Sequence, residues 1–305
     1  MQTSAFIVFY SGSATLIEPL GLRALLQEAG IGIEEEQAFS GVGRTGGRWA
    51  VRGADVAQLR GLVAQRSVEF GALRHESGHL LGGSLAVVPA ALVYAERKLL
   101  VMDVDSTLIK QEVIELLAAH AGRGAEVAAV TEAAMRGELD FAQSLHARVK
   151  TLAGLPAGVI DEVRSAIELS DGARELVAAF KAAGHYVGVV SGGFQQVLDP
   201  LAAELGLDFA LANDLGVEDG VLTGLVNGPV VDRAMKETKL REWAASLDID
   251  IEHTIAAGDG ANDLDMVCAA GLGVAFNAKP ALKAAAGATI ELPRLDIIAD
   301  LVSIG

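Results

Sequence analysis

The sequence predicts an α/β chain: a doubly wound parallel sheet with a helical insertion, preceded by a smaller α+β unit. Three observations carry this. After Lys98, the apolar runs LLVMDVD, YVGVVSGG, DFALAND, TIAAGDG, GLGVAF and ATIEL alternate with amphipathic stretches. Strands covered on both faces read as continuous apolar runs, and their alternation with helices gives a parallel sheet. Residues 110–180 are almost wholly helical in pattern and interrupt that rhythm. Before Lys98 the order of elements is different, so a unit over 1–95 is expected to precede one over 96–305, the latter with a cap at about 110–180.

In order along the chain, AFIVFYSG reads as a strand. TLIEPLGLRALLQEAG reads as an amphipathic helix stopped at Gly30. EEEQAFSGVGRTGGRWAVRG predicts a hairpin with a Gly-rich turn. ADVAQLRGLVAQRS predicts a second helix, with Val56, Leu59 and Val63 at helical spacing. SLAVVPAALV predicts a last strand, which Pro89 makes short or places at an edge. The order β-α-β-β-α-β is that of a ferredoxin-like sandwich. Further on, Asp219–Gly220 in VEDGVLTGLV is a hairpin signal.

The 305 residues are 51% apolar, enough for a large core, and carry a formal net charge of −16. Residues 1–95 are nearly neutral, so the acidity lies almost entirely beyond them. Such a surface argues against nucleic acid or an anionic membrane as partner. Cys268 is the only cysteine, so no intrachain disulfide forms and a reducing cytoplasm fits. No secretory leader pattern and no membrane-length apolar run occurs.

The chemistry is legible at the strand ends, where an open parallel sheet binds its ligands. LLVMDVDSTL runs from four apolar residues into Asp103 and Asp105. At a spacing of two they share one face of an extended chain, where they repel each other by roughly 1 kcal/mol in water and more when buried. A cation offsets that repulsion. After YVGVV come Ser191, Gly192 and Gly193; after TIAAG come Asp259, Asn262 and Asp263. Asp103, the backbone near Asp105, and Asp259 offer the hard oxygens that suit Mg²⁺. Ser191 and Gly192 offer a hydroxyl and N–H groups to phosphate oxygens. Lys236 supplies a positive charge beside a transferring phosphoryl. One aspartate then attacks phosphorus while the other protonates the leaving alkoxide and later activates water. Taken singly each piece has a plainer reading, as a helix cap, a turn or a solvated lysine. The convergence of three strand ends is what favours chemistry.

DVDST, SGG, the lysine and GDGAND, in that order, resemble the haloacid dehalogenase superfamily of phosphotransferases, and within it the phosphoserine phosphatases, over about residues 97–300. The resemblance implies Asp103 as nucleophile and Asp105 as general acid and base. It implies Mg²⁺ held by Asp103, Asp105 through its carbonyl, and Asp259, with Asp263 ordering metal-bound water. Ser191, Gly192 and Lys236 would bind phosphate. Glu112, Met135, Phe141, Arg148 and Asn262 match the family's substrate-pocket positions. FAQSLHARVKTL places Phe141, Leu145, Arg148 and Leu152 on one helix face. An arginine on an apolar stripe either spreads its stem over apolar surface or forks a carboxylate. Together, an ammonium site at Glu112, a carboxylate site at Arg148 and a phosphate site describe a small phosphorylated amino acid. The expected reaction is hydrolysis of O-phospho-L-serine to serine, the last step of serine biosynthesis. The first 95 residues resemble an ACT-like regulatory domain, which implies amino-acid binding or a homodimer.

Four rivals stay open. The phosphoryl passes to another alcohol, or another small phosphomonoester is the substrate. A phospho-accepting switch uses similar groups, but has no need of a leaving-group acid or a 70-residue cap. Finally, HESGHLLG (75–82) matches a zinc-protease H-E-x-x-H pattern. Gly78 weakens the helix that pattern requires.

Overall fold

A computed structural model describes residues 3–73, 81–135 and 140–304, with the side chains of 132–135 left aside. It contains two sheets. The first has strands β1 (Ala5–Ser11), β2 (Gly32–Gly41), β3 (Arg44–Arg52) and β4 (Ser84–Pro89) in the order β2-β3-β1-β4, antiparallel throughout. Side chains alternate across β1. Ala5, Ile7 and Phe9 face helices Leu22–Glu28 and Val56–Gly71 and pack with Trp49, Leu26 and Leu59. Phe6, Val8 and Tyr10 face the other way and join the main core of the chain. Both faces are covered, which is why AFIVFYS reads as an unbroken apolar run. Asp55 caps the second helix in a reciprocal box with Gln58.

Two expectations here need correcting. The helix expected over TLIEPLGLRALLQEAG covers only Leu22–Glu28. Pro19 biases the residue before it away from helical angles, and Gly21 sits at φ 71°, so the amphipathic pattern begins to coil only after both. The strand expected over SLAVVPAALV stops at Pro89, and Ala90–Tyr94 forms a short helix instead. Proline has no N–H to continue a ladder.

The second sheet holds β5 (Leu99–Met102), β6 (Tyr186–Phe194), β7 (Phe209–Glu218), β8 (Val221–Asn227), β9 (Thr254–Gly258), β10 (Leu272–Phe276) and β11 (Ala288–Ile290). Their order is β11-β10-β9-β5-β6-β7-β8, parallel except for the β7–β8 hairpin. From β5 the chain moves outward on one side through β6, then returns to the other side at β9. The order therefore reverses at β5, and such a reversal opens a crevice at the strand ends. Four helices between Val113 and Ala166 form a helical insertion, the cap, while the last helix of the 110–180 stretch, Ala173–Ala182, packs against β6 instead. Asp219 (φ 49°) and Gly220 (φ 76°) make the hairpin turn. The hairpin is stitched to the cap: Leu222 N–H donates to Leu155 O, Gly154 N–H to Leu222 O and Ala157 N–H to Gly220 O, each at 2.8 Å.

The two sheets meet at a polar seam. Buried Arg44, in β3, reaches Asp296 (2.9 Å) and Asp300 (2.6 Å). Tyr10 Oη and Ser84 Oγ both donate to the Thr289 carbonyl of β11. Among the described residues, no helix is long and apolar enough to cross a membrane.

Candidate active site

β5 is buried throughout, and Asp103 continues its register: its N–H donates to Ala257 O of β9 (2.9 Å). Asp103 is itself only 3% exposed. Its Oδ1 accepts the Val104 N–H and the Lys236 ammonium, both at 2.7 Å. Its Oδ2 accepts a longer bond from Asn262 Nδ2 (3.2 Å), which makes it the less committed oxygen.

Beyond Asp103 the chain makes one wide turn, Val104–Leu108, with Ser106 at a left-handed φ of 54°. That conformation is costly for a residue with a Cβ. The turn lays Asp105 against β6, where its Oδ2 accepts from Ser191 Oγ (3.3 Å) and its Oδ1 from the Val113 N–H (2.9 Å). Ser106 Oγ donates to Glu112 Oε1 (2.7 Å). Gly193 must be small: a Cβ there would lie 2.8 Å from Asp105 Oδ2.

Lys236 is fully buried in helix Arg233–Ser246, which Asp232 caps through the Met235 N–H (2.9 Å). Its Nζ also lies 2.7 Å from Asp263 Oδ1, and Asp263 Oδ2 accepts the Gly260 N–H (3.0 Å). Burial works to lower the Lys236 pKa, yet Asp103 and Asp263 together hold it above the usual lysine range. The acids respond in the opposite sense. Burial, then repulsion from Glu112 and Asp103, pushes Asp105 up to about 7. Burial and Asp103 push Asp259 up to about 6, and raise Asp263 as well. Burial also raises Glu112, against the Ser106 bond. A carboxylic acid poised near neutrality is suited to donating and reclaiming a proton.

The carboxylates of Asp103, Asp259 and Asp263 offer oxygens within 4.8 Å of one another. Three buried or half-buried acids at that separation, with one lysine among them, are a donor set that fits a hard divalent cation. The Asp105 carboxylate is not in this group; it is turned to Val113 and Ser191.

A cavity of about 150 Å³ opens above these groups. Asp103, Asp105, Gly192, Gly193, Asp259 and Asn262 form its floor side, and Glu112, Ile114, Phe141, Leu145 and Arg148 come from the cap. Burial lowers the Arg148 pKa, with Glu112, Glu115 and Asp105 near enough to offset it. Of the residues singled out in the sequence, Ser191, Lys236 and Asp263 are buried and do not line the cavity. The side chain of Met135 and the HESGH stretch lie outside what the structure describes.

Two residues escaped the sequence reading. Lys279 lines the cavity, and its N–H donates to Asp259 O (2.9 Å). It follows the carboxyl end of β10, a fourth strand end beside those of β5, β6 and β9. Asn213 is 1% exposed and bonds on both sides, to Gly192 O and to the Val231 N–H. The polar tail of DFALAND was its only signal.

Comparison with known proteins bears on this arrangement. A family model described as haloacid dehalogenase-like hydrolase matches residues 100–267. A Streptomyces coelicolor protein named phosphoserine phosphatase is 50% identical over 93% of this chain and 66% of its own length. Phosphoserine phosphatase SerB2 of Mycobacterium tuberculosis is 54% identical over 72% of this chain and 54% of its own. The chain thus spans between about half and two thirds of these relatives. A crystal structure of a probable phosphoserine phosphatase from Vibrio cholerae superposes with a TM-score of 0.73 at 33% identity, covering 98% of this chain and 86% of that one.

Proposed function

The chain belongs to the haloacid dehalogenase-like hydrolases, and we propose that it is a Mg²⁺-dependent phosphatase that hydrolyses O-phospho-L-serine to serine and phosphate through an aspartyl-phosphate. One observation carries the reading: Asp103, Asp105 and Lys236 meet at one rim, below a cavity whose cap side presents Glu112 and Arg148. The floor fits a phosphate, and the cap fits an ammonium and a carboxylate.

In this reading Asp103 Oδ2 attacks phosphorus. Its bond to phosphorus forms as the bond from phosphorus to the serine oxygen breaks, and Asp105 gives that oxygen its proton. Asp105 then takes a proton from water, whose oxygen displaces Asp103 from phosphorus. Lys236 holds Asp103 Oδ1 and keeps the carboxylate aimed. The Gly192 backbone grips the phosphate oxygens, and Ser191, whose Oγ donates to Asp105 and accepts the Gly193 N–H, holds that strand end in place beneath them. Asp103, Asp259 and the Asp105 carbonyl would hold Mg²⁺, with Asp263 behind them; the ion supplies stabilisation of charge on the phosphoryl group. Glu112 takes the substrate ammonium, Arg148 its carboxylate, and Phe141, Met135 and Asn262 complete the contact. Residues 1–95 are assigned as an ACT-like regulatory or dimerising unit, and the enzyme as a cytoplasmic homodimer.

A phosphate-release screen over small phosphomonoesters, with and without Mg²⁺, tests this. Phosphoserine is expected to exceed phosphoethanolamine, which lacks the carboxylate, by about 10-fold or more in kcat/KM, as one lost charged contact implies. Arg148→Ala is expected to erase that margin by raising the KM for phosphoserine alone. Equal use of the two esters by the unmodified enzyme refutes the pocket assignment.

A further inference from the structure

We propose that Asn213 is a positioning residue that locks the phosphate-gripping end of β6 to the start of the helix carrying Lys236. The inference rests on the functional reading only in treating Gly192 as phosphate-facing and Lys236 as the group that holds the nucleophile beneath it.

The ladder between β6 and β7 is regular from Gly188 to Val190, breaks, and resumes at Phe194↔Asn213. Ser191, Gly192 and Gly193 fall in the break. Gly192 and Gly193 thereby face the cavity, and the three lose the ladder bonds that fix neighbouring backbone. Asn213 replaces one of them. Its Nδ2 donates to Gly192 O (2.8 Å), while its Oδ1 accepts the Val231 N–H (2.8 Å). A carbonyl only accepts and an N–H only donates, so the two partners fix the orientation of the amide without ambiguity. Val231 directly precedes the cap residue Asp232, four residues before Lys236. The two elements are close as well as tied: a Cβ on Gly192 would lie 3.9 Å from Val231 O. A single buried amide, 1% exposed, thus sets the spacing between the Gly192 backbone and the ammonium beneath Asp103.

Asn213→Asp is nearly isosteric. It retains an acceptor for Val231 but sets a second acceptor against Gly192 O, so it breaks one arm only. Asn213→Ala removes both arms. The measurement is calorimetric binding of inorganic phosphate, and separately of serine, to the intact chain in Mg²⁺, with a thermal melt of each variant. Phosphate affinity is expected to fall about 10-fold or more in both variants, as loss of a buried hydrogen bond implies. Serine affinity is expected to stay within about twofold, because serine is held from the cap side. Unchanged phosphate affinity in a folded variant overturns the proposal. So does equal weakening of phosphate and serine, which marks general loosening. If neither variant folds, Asn213→Ser, which keeps a hydroxyl to bond one partner, carries the same comparison. If the unmodified chain binds no phosphate, the functional reading itself fails; if it binds phosphate and the variants match it, only this inference fails.

Discussion

Two clusters of buried ionic groups divide the molecule. At the rim of the parallel sheet, Lys236 sits between Asp103 and Asp263, with Asp105, Asp259 and Glu112 close by. At the seam between the sheets, Arg44 sits between Asp296 and Asp300, with Arg294 bonded to Asp296 and Arg48 to the Asp300 carbonyl. Each has a buried cation at its centre. They differ in balance. The seam gives two carboxylates three guanidinium groups. The rim gives five carboxylates Lys236, Arg148 and Lys279. A buried charge is costly unless matched. A matched cluster acts as cement between surfaces, whereas an acid surplus facing a cavity is relieved by binding protons or a cation. Burial alone does not distinguish the two; the sum of charges does.

The sharpest way to break this contrast is to remove one acid from the rim. Asp103→Asn is expected to abolish phosphoserine turnover, by about 10³-fold or more, while the melting temperature moves little because a surplus charge has gone. Retained turnover removes Asp103 as nucleophile. At the seam the pattern should reverse. Arg44→Ala takes the ion-pair partner from half-buried Asp300 and leaves Asp296 with Arg294 alone, and is expected to cost about 3–4 kcal/mol of stability in denaturant titrations, with kcat per folded molecule unchanged. An Arg44→Ala protein as stable as the parent would show that the seam is not cement.

Adding Mg²⁺ sharpens the comparison further. At 100 times its Kd it is expected to stabilise the parent by about 2.7 kcal/mol. Asp259→Asn should lose most of that gain and Arg44→Ala should keep it. Stabilisation that survives in Asp259→Asn would move the ion elsewhere.

The smallest effect concerns a buried base outside both clusters. His185 is 7% exposed, lies edge-on to Phe180, and its Nδ1 has no partner. Burial, then the nearby Lys98 charge, lowers its pKa to about 4. The unfolded chain, with a histidine near its ordinary 6.5, binds that proton first as pH falls. Stability from the neutral ring is therefore full above about pH 6.5 and lost as pH falls towards 4. His185→Leu should flatten that part of the stability–pH curve; an unaltered curve would assign the acid sensitivity to other groups.

Much of the rim was legible in the sequence, because each piece follows an apolar run and strand ends in a parallel sheet point one way. Asp103, Ser191 and Asp259 needed only that rule. The amide of Asn213 did not follow from it: its role exists only because the β6–β7 ladder breaks opposite it, and nothing in DFALAND records a register. Lys279 has the composition of any exposed lysine, and its placement depends on how β10 feeds the next helix. Arg44 and Asp296 lie 252 residues apart, and no local pattern pairs them. The failed helix before Leu22 is of another kind: the apolar spacing was right, and two backbone residues, Pro19 and Gly21, overruled it.

The seam has a practical consequence. Phe6, Val8, Tyr10 and Val88 share one continuous core with Leu100, Met102 and Ile290, and β4 lies against β11, each the outermost strand of its sheet. A scissile site near residue 95 would look natural to anyone wishing to express the catalytic part alone. Cutting there bares a greasy patch and two unprotected strand borders at once, the recipe for self-association. A shortened protein that precipitates would then be reporting on the cut surface rather than on any failure of the catalytic part to fold.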